Sequence, residues 1–191
     1  MNANQSNIHV CPWWLAYTFD NPLRRLLHNP EKLLAGLVEE GQTAVDIGCG
    51  MGHFSLGMAR MVGENGWVIS VDLQEKMLDR VRSRAEQSGL ESRIRLHQCQ
   101  PDRIGISGLV DFALAFWMAH EVPNQQAFLA EVRSLLKPEA RFLLVEPKIH
   151  VTASSFQKTV DLARATGMKP CAEPKVRMSR AVLFDSGKSG V

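Results

Sequence analysis

Hydrophobic runs of two kinds alternate along the chain from residue 43 onward. Short, almost continuous apolar runs predict buried strands, and longer runs with apolar residues three or four positions apart predict amphipathic helices. The predicted strands are 43–47, 67–71, 93–98, 110–116 and 141–146, and the predicted helices are 53–62, 74–87, 125–136 and 154–166. This alternation is typical of a parallel sheet that is covered by helices on both faces.

The two ends of the chain depart from this alternation. Near the N-terminus, Asn21-Pro22 and Asn29-Pro30 each place a capping side chain before a proline, which predicts two helix starts, the second helix running toward Glu40. Near the C-terminus, 169–172 and 176–184 are two strand-like segments separated by a proline-containing turn. The sequence therefore predicts a terminal hairpin after the alternating region.

Size and charge narrow the class of protein. The chain has 191 residues, of which 45% are hydrophobic, enough for one α/β core. Its formal net charge is +2 and it carries no dense basic run, so nucleic acid is not the expected partner. The polar start Met1–Asn7 and the lack of a ~20-residue apolar run predict neither a signal peptide nor a membrane span. We therefore expect a cytoplasmic protein.

Three alternate glycines provide the most specific chemical signal. Gly48, Gly50 and Gly52 stand between a predicted strand and a predicted helix, where a turn without side chains lets a ligand approach the backbone. Asp72 ends the next predicted strand, about 20 residues after the last glycine. This spacing suits a carboxylate that binds the hydroxyl pair of a ribose. The residues alone thus predict a nucleotide or nucleoside ligand.

Asp46 to Gly52 resembles the first motif of the class I S-adenosylmethionine-dependent methyltransferases, and Asp72 is similar to the ribose-binding acid of that family. The resemblance extends from about Glu31 to Phe184. It implies a Rossmann-like three-layer α/β sandwich, with a mostly parallel seven-stranded sheet and an antiparallel C-terminal strand. It also implies S-adenosyl-L-methionine as the cofactor.

The same resemblance predicts the domain organisation. We expect one methyltransferase domain over 31–186, preceded by an N-terminal aromatic lid or helical segment over 1–30 and followed by a flexible tail over 187–191. The run 12–19 is rich in aromatic residues, and as a lid it would cover the acceptor and exclude water. Alternatively, it packs against the core or against a second subunit, so the sequence allows a homodimer.

The resemblance implies cofactor contacts from the lid, the glycine turn and the ends of the next three strands. The expected cofactor-binding residues are Tyr17, Asp46, Gly48, Cys49, Gly50, Gly52, Asp72, Leu73, Met77, Gln100, Asp102 and Phe116. Asp46 would orient the glycine turn or receive the ammonium group of the cofactor. Leu73 would cover the adenine edge, and Met77 would either add an apolar wall or pack in the core.

The segment after the third strand departs from the family pattern. Members usually place an acid there for the adenine amino group, followed by a residue whose backbone N–H reaches the ring. Here Gln100 stands at the acid position and Pro101 at the next. A glutamine oxygen can accept from the amino group, but proline has no N–H to donate. Either Asp102 and Arg103 contribute instead, or the adenine is bound less tightly.

The segment after the fourth predicted strand supplies the candidate catalytic residue. In the family this loop faces the transferred methyl, and the ordinary pKa of a histidine suits His120 to act as a general base. Alternatively, His120 bonds its own loop or caps the next helix. Glu146 and His150, which flank the end of the fifth predicted strand, are further candidates for the same role.

The leading hypothesis is methyl transfer from S-adenosylmethionine to a small, partly apolar acceptor by in-line displacement. A nicotinamide-dependent oxidoreductase is the first alternative, although its fingerprint requires glycine where His53 stands. The second is a non-catalytic S-adenosylmethionine-binding module that acts through a partner. No Cys-x-x-Cys pair is present, so we expect reduced thiols and no metal site, with arsenite held by thiolates as a further acceptor to consider.

Overall fold

The computed structural model describes residues 28–188. Its helices are α1 (Pro30–Leu33), α2 (His53–Met61), α3 (Glu75–Gln87), α4 (Gln125–Leu135) and α5 (Ala153–Ala165). Its strands are β1 (Thr43–Ile47), β2 (Trp67–Asp72), β3 (Ile94–Gln98), β4 (Val110–Phe116), β5 (Leu136–Pro147), β6 (Lys169–Ala172) and β7 (Ser179–Asp185). Short 3₁₀ turns lie at Glu91–Arg93 and Ala119–Glu121.

The strands form one seven-stranded sheet in the order β3-β2-β1-β4-β5-β7-β6. All neighbouring pairs among β1 to β5 are parallel, whereas β7 is antiparallel to both β5 and β6. The predicted fold class is thereby confirmed, including the antiparallel C-terminal strand. The strand order reverses between β1 and β4, which is where open α/β sheets place their ligands.

The central strand explains how the sheet is buried on both faces. On β4, Phe112, Leu114 and Phe116 pack into a cluster with residues of α1 and α2. Ala113 and Ala115 face the opposite cluster, which contains residues of α4 and α5. The almost continuous apolar run of this strand therefore reflects two covered faces, as predicted.

The first described helix is much shorter than the sequence predicted. Asn29 caps it as expected, its side chain accepting a hydrogen bond from the Lys32 N–H at 2.8 Å. The helix ends at Leu33 rather than near Glu40. Gly36 adopts a φ of +73°, a left-handed conformation that an α-helix cannot continue through.

Two strand boundaries also differ from the prediction. Leu136, predicted to end α4, is the first residue of β5 and pairs with Val110. The register then shifts, because Glu139 has a φ of +63° and the chain bulges before Arg141 pairs with Phe112. The last strand starts at Ser179 rather than at residue 176, since a turn occupies the intervening residues.

Several sequence expectations lie outside the described residues. These are Tyr17, the aromatic run 12–19 and the helix start at Asn21-Pro22. The domain boundaries at 30/31 and 186/187 remain predictions. No helix between residues 28 and 188 is long and apolar enough to cross a membrane.

Candidate active site

One edge of the sheet gathers most of the predicted site residues. The strands β1, β2, β4 and β5 run parallel, so their carboxyl ends meet at this edge, and antiparallel β7 begins there. The glycine turn follows β1, Asp72 ends β2, His120 lies just after β4 and Glu146 lies near the end of β5. The topology thus joins four separate segments of sequence.

Backbone hydrogen bonds hold the glycine turn against the neighbouring strand. The N–H groups of Gly48 and Cys49 both donate to the Val71 carbonyl, at 2.8 and 2.9 Å. Gly48 has a φ of +69°, and a Cβ there would lie 2.7 Å from Cγ of Met118. Gly50 also has a positive φ, +52°, but no atom lies within 4 Å of the position of its absent Cβ. The turn is closely packed at Gly48 and open at Gly50.

Asp72 connects the glycine turn to the start of α3. Its Oδ2 accepts the Gly50 N–H and its Oδ1 accepts the Gln74 N–H, both at 2.9 Å. Burial raises the pKa of Asp72, although these backbone donors oppose the shift. Each carboxylate oxygen has a second acceptor position, so the group can still accept hydroxyl donors.

Asp46 lies near the end of β1, just before the glycine turn. Its carboxylate is buried and accepts a hydrogen bond from the Ser55 hydroxyl of α2 at 2.6 Å. This contact fixes the first turn of α2 relative to the end of β1. Both roles expected for Asp46, orientation of the glycine turn and binding of the cofactor ammonium group, remain predictions.

The backbone of Cys49 helps to hold the glycine turn, because its N–H donates to the Val71 carbonyl. Its side chain is buried, and burial raises the pKa of the thiol well above its ordinary value. Among residues 28–188, no three His, Cys, Asp or Glu side chains are grouped so that they could hold a metal ion. A neutral, buried thiol is a poor nucleophile and a poor metal ligand.

The three apolar side chains expected to contact the cofactor differ in how deeply they are buried. Leu73 is half-buried beside the Asp72 carboxylate, and its carbonyl accepts a hydrogen bond from Gln98. Met77 is buried on α3. Phe116 packs in the core with ring centroids 4.4 Å from Phe54, so its observed contacts are with the protein interior.

The segment that departed from the family pattern forms a tight turn. The N–H of Gln100 donates to the Arg103 carbonyl at 3.0 Å, and the reverse bond measures 3.3 Å. Pro101 and Asp102 form the exposed corner of this turn. Proline suits the second position of a β-turn because its φ is already fixed there. The turn thus gives Pro101 a structural reason to be present.

His120 and Glu146 form a pair at the end of β4 and β5. The Nδ1 of His120 donates to Oε2 of Glu146, while Oε1 accepts the Ala119 N–H at 2.8 Å. Glu146 is 1% exposed, whereas a quarter of the His120 side chain reaches solvent. The hydrogen bond to Glu146 raises the pKa of His120, although partial burial opposes the shift. With Nδ1 engaged, Nε2 is the nitrogen that can take a proton.

Trp117 precedes this pair in an unusual backbone conformation that the sequence analysis did not predict. Its φ of +64° is rare for a bulky residue. The conformation is held by its backbone N–H, which donates to the Val145 carbonyl, and by its indole N–H, which donates to Ser179 at 2.9 Å. This reversal brings Met118 over Gly48 and lets His120 turn back toward Glu146.

Two buried histidines that the sequence analysis did not single out for the site lie near Trp117, one in direct contact with it and one behind the first. The ring of His28 lies edge-on to Trp117 at 5.1 Å, and its Nε2 contacts the Arg177 carbonyl at 2.9 Å. The Nε2 of His53 donates to the His28 carbonyl at 2.7 Å. His28 therefore lies beside Trp117 and next to the candidate active site.

Comparison with known proteins shows the family to which this chain belongs. A family model described as "Methyltransferase domain" matches residues 38–176. The chain belongs to this methyltransferase domain family. The prediction of a class I S-adenosylmethionine-dependent methyltransferase is confirmed, and with it the cofactor and the Rossmann-like fold. The nicotinamide-dependent alternative is disfavoured accordingly.

Similar proteins differ in how much of their length is matched. A ubiquinone biosynthesis O-methyltransferase from Xanthomonas axonopodis is 30% identical over 135 residues, which is 69% of this chain and 54% of that protein. A demethylmenaquinone methyltransferase from Lactobacillus johnsonii is 28% identical over 110 residues, 57% of this chain and 45% of that protein. This methyltransferase domain therefore spans about half the length of these relatives.

A solved structure matches the fold more completely. The crystal structure of a SAM-dependent methyltransferase from Aquifex aeolicus has a TM-score of 0.83 and 24% sequence identity. The match covers 92% of this chain and 99% of that chain. The architecture described above is thus also found in a solved methyltransferase structure.

Proposed function

We propose that the chain transfers the methyl group of S-adenosylmethionine to a small, partly apolar acceptor that loses a proton in the reaction. The observation that carries this proposal is the pairing of His120 with buried Glu146 at the edge of the sheet that also holds the glycine turn. The Xanthomonas and Lactobacillus relatives are named as methyltransferases for ubiquinone biosynthesis and for demethylmenaquinone, which supports a small-molecule acceptor.

The residues around the glycine turn fit a nucleoside cofactor. The space beside Gly50 is open, and the carboxylate of Asp72 lies directly behind this residue. In the proposal, Asp72 accepts the two ribose hydroxyls while it continues to accept the Gly50 and Gln74 N–H groups. Leu73 and Met77 provide apolar surface on the adenine side, and Gln100 accepts from the adenine amino group.

When bound, S-adenosylmethionine supplies a methyl carbon whose bond to the sulfonium sulfur breaks as the acceptor atom attacks it. His120 takes the acceptor proton on Nε2, because Nδ1 is committed to Glu146. Glu146 fixes the orientation of the ring and stabilises the imidazolium that results. Trp117 and Met118 align the turn that carries His120, so the acceptor and the base are held in one geometry.

Exposed apolar side chains beside the pair support a partly apolar acceptor. Ile149 is 80% exposed and Met178 is 58% exposed, so both side chains are available to contact an acceptor. The Lys148 N–H bonds the Met178 carbonyl, and the ring of His150 stacks on His120 with centroids 6.0 Å apart. The two apolar side chains therefore belong to loops that meet next to the candidate base.

Isothermal titration with S-adenosylhomocysteine, followed by a methyl-transfer assay, tests the proposal. The acceptor panel contains hydroxylated aromatic compounds with and without alkyl chains, together with ribosomal RNA. We expect binding of the cofactor product and methylation of a hydroxylated aromatic compound. Absence of binding, methylation of RNA alone, or binding without any methyl transfer would contradict the proposal, and the last result would favour the non-catalytic module.

Serine variants test the apolar surface separately. Ile149→Ser and Met178→Ser should each raise KM several-fold for an alkylated acceptor, because each removes roughly 1 kcal/mol or more of apolar contact. Leu109→Ser is the matched control, since Leu109 is 50% exposed and precedes β4 at the opposite edge of the sheet. Equal effects of all three substitutions would argue against an acceptor site at this surface.

A further inference from the structure

A line of hydrogen bonds connects the outer helices to the turn that carries His120. Thr159 on α5 donates its hydroxyl hydrogen to Oε1 of Gln125 on α4, at 2.9 Å. The Nε2 of Gln125 donates to the Ala119 carbonyl, at 3.0 Å. Thr159 is 4% exposed and Ala119 is fully buried. These contacts join three elements that are separated in sequence.

The peptide groups around Ala119 are held from two sides. Its N–H is bonded to Glu146, and its carbonyl accepts Gln125 as well as a longer bond from the Val122 N–H, at 3.3 Å. Glu146 also accepts a hydrogen bond from Nδ1 of His120. The position of the Ala119–Glu121 turn therefore decides whether His120 and Glu146 are in contact. A three-residue turn has few hydrogen bonds of its own, so external contacts fix its orientation.

We propose that Gln125, oriented by Thr159, is a positioning residue that holds the Ala119–Glu121 turn so that His120 stays in contact with Glu146. The inference rests on the proposed function, in which His120 accepts the proton of the acceptor. Gln125 acts through the turn and has no contact with the reacting atoms. Thr159 completes the arrangement because its hydroxyl leaves the amide nitrogen of Gln125 directed at the Ala119 carbonyl.

Among the described residues, three side chains surround His120, and the two carboxylates among them influence how tightly it holds a proton. Glu146 faces it from β5, Glu121 lies on its own turn, and the ring of His150 stacks on it from the loop after β5. The hydrogen bond to Glu146 is the largest of these influences and raises the pKa of His120. A turn that moves away from Glu146 should therefore allow this pKa to fall toward its ordinary value.

Substitutions of Thr159 and Gln125 test the inference. Thr159→Val removes the hydroxyl with almost no change of shape, and Gln125→Leu removes the amide. Thr159→Ser keeps the hydroxyl, and Gln126→Leu changes the exposed neighbour of Gln125 and is the matched control. The first two variants should lower kcat by about tenfold, an effect smaller than removal of a general base. Their KM for S-adenosylmethionine should stay within about twofold of wild type, since uniform binding is unaffected.

Titration of the His120 imidazole by NMR, in the free protein, gives the deciding measurement. We expect Thr159→Val and Gln125→Leu to move its midpoint to lower pH, whereas Thr159→Ser and Gln126→Leu titrate as wild type. An unchanged midpoint in both folded variants would overturn the inference, even if their thermal stability falls, because the residues would then be merely structural. If Thr159→Val is unfolded, the half-buried position of Gln125 allows Gln125→Leu to decide the question alone.

The titration requires neither acceptor nor cofactor, so it separates this inference from the proposed function. If His120→Ala leaves methyl transfer unchanged, the proposed function of His120 is wrong. The NMR midpoints would still show whether Gln125 holds the turn. The opposite outcome is also distinguishable. If His120→Ala is slow but the titration midpoints of Thr159→Val and Gln125→Leu are unchanged, His120 remains the proposed base and Gln125 is not a positioning residue.

Discussion

The two halves of the candidate active site are built in different ways. The cofactor half, Gly48–Gly52 with Asp72, is held by backbone N–H groups that donate to a strand carbonyl and to one carboxylate. The acceptor half, Trp117–Glu121 with Glu146, depends on contacts between side chains, including those of His120 and Trp117. In the proposed function, the cofactor half therefore depends on the path of the main chain and on one carboxylate, that of Asp72, whereas the acceptor half depends on several side chains and can change with them.

The largest effect should come from the cofactor half. Asp72→Ala removes the carboxylate proposed to bind the ribose and should weaken S-adenosylhomocysteine binding by about 100-fold or more, since hydrogen bonds to a charged group are lost. Gln100→Ala changes an exposed side chain and should weaken binding by no more than about threefold. Isothermal titration measures both. The reverse ranking would mean that the adenine side dominates recognition.

In the acceptor half, His120→Ala should reduce kcat by about 100-fold or more, because the proton acceptor is lost. Its affinity for S-adenosylhomocysteine should stay close to wild type, which would separate the two halves experimentally. His150→Ala is the control, as this exposed ring stacks on His120 without a bond to Glu146. Equal losses in both variants would show that the base has been assigned to the wrong histidine.

The dependence of the reaction rate on pH should test whether Glu146 raises the pKa of His120. Because Glu146 raises the pKa of His120, the wild-type base is neutral only at higher pH, and kcat/KM should increase as pH rises through a midpoint above 6.5. Glu146→Gln keeps an acceptor for Nδ1 but removes the charge, so the midpoint should move to lower pH and the maximal rate should fall about tenfold. A steady-state pH profile measures this. An unmoved midpoint would contradict the role of Glu146.

A pair of glycine substitutions tests the contact between the two halves through the stability of the protein, with no large change in activity required. Gly48→Ala places a methyl group against the inner atoms of Met118 in addition to a left-handed φ, and should cost about 2–3 kcal/mol. Gly50→Ala meets only the conformational penalty, about 1 kcal/mol. Urea unfolding of the free protein compares them. Equal costs would show that the two halves are not in firm contact at Met118.

The difference between the halves also explains how far the sequence could be interpreted. Gly48 to Gly52 and Asp72 were predictable, because alternate glycines and an acid at fixed spacing are visible within a short stretch. The partner of His120 was not, since Glu146 reaches it only through the pairing of Phe116 with Val145 across β4 and β5. The sequence offered His120 and Glu146 as separate candidates for the base, and the structure places the two side chains in contact.

Local conformations account for the other differences. The helix expected to run toward Glu40 stops at Leu33, because one glycine with a positive φ follows and outweighs the apolar periodicity. Trp117 resembles any apolar residue after a buried strand, and its left-handed φ is set by contacts with Val145 and Ser179. Such contacts exist only once the sheet has formed.

The packing of Met118 on Gly48 has a consequence for redesign of the enzyme. In the proposed function, the loops after β4 and β5 contact the acceptor and can be exchanged while the glycine turn and Asp72 are kept, since the two sites use different segments of chain. The exchange is constrained at residue 118, where the side chain fits a space that exists only because residue 48 lacks a Cβ. A branched residue at 118 would displace the glycine turn. A substitution made to change the acceptor would then also lower the affinity for the methyl donor. Libraries for new acceptors should therefore vary the loops and keep this methionine.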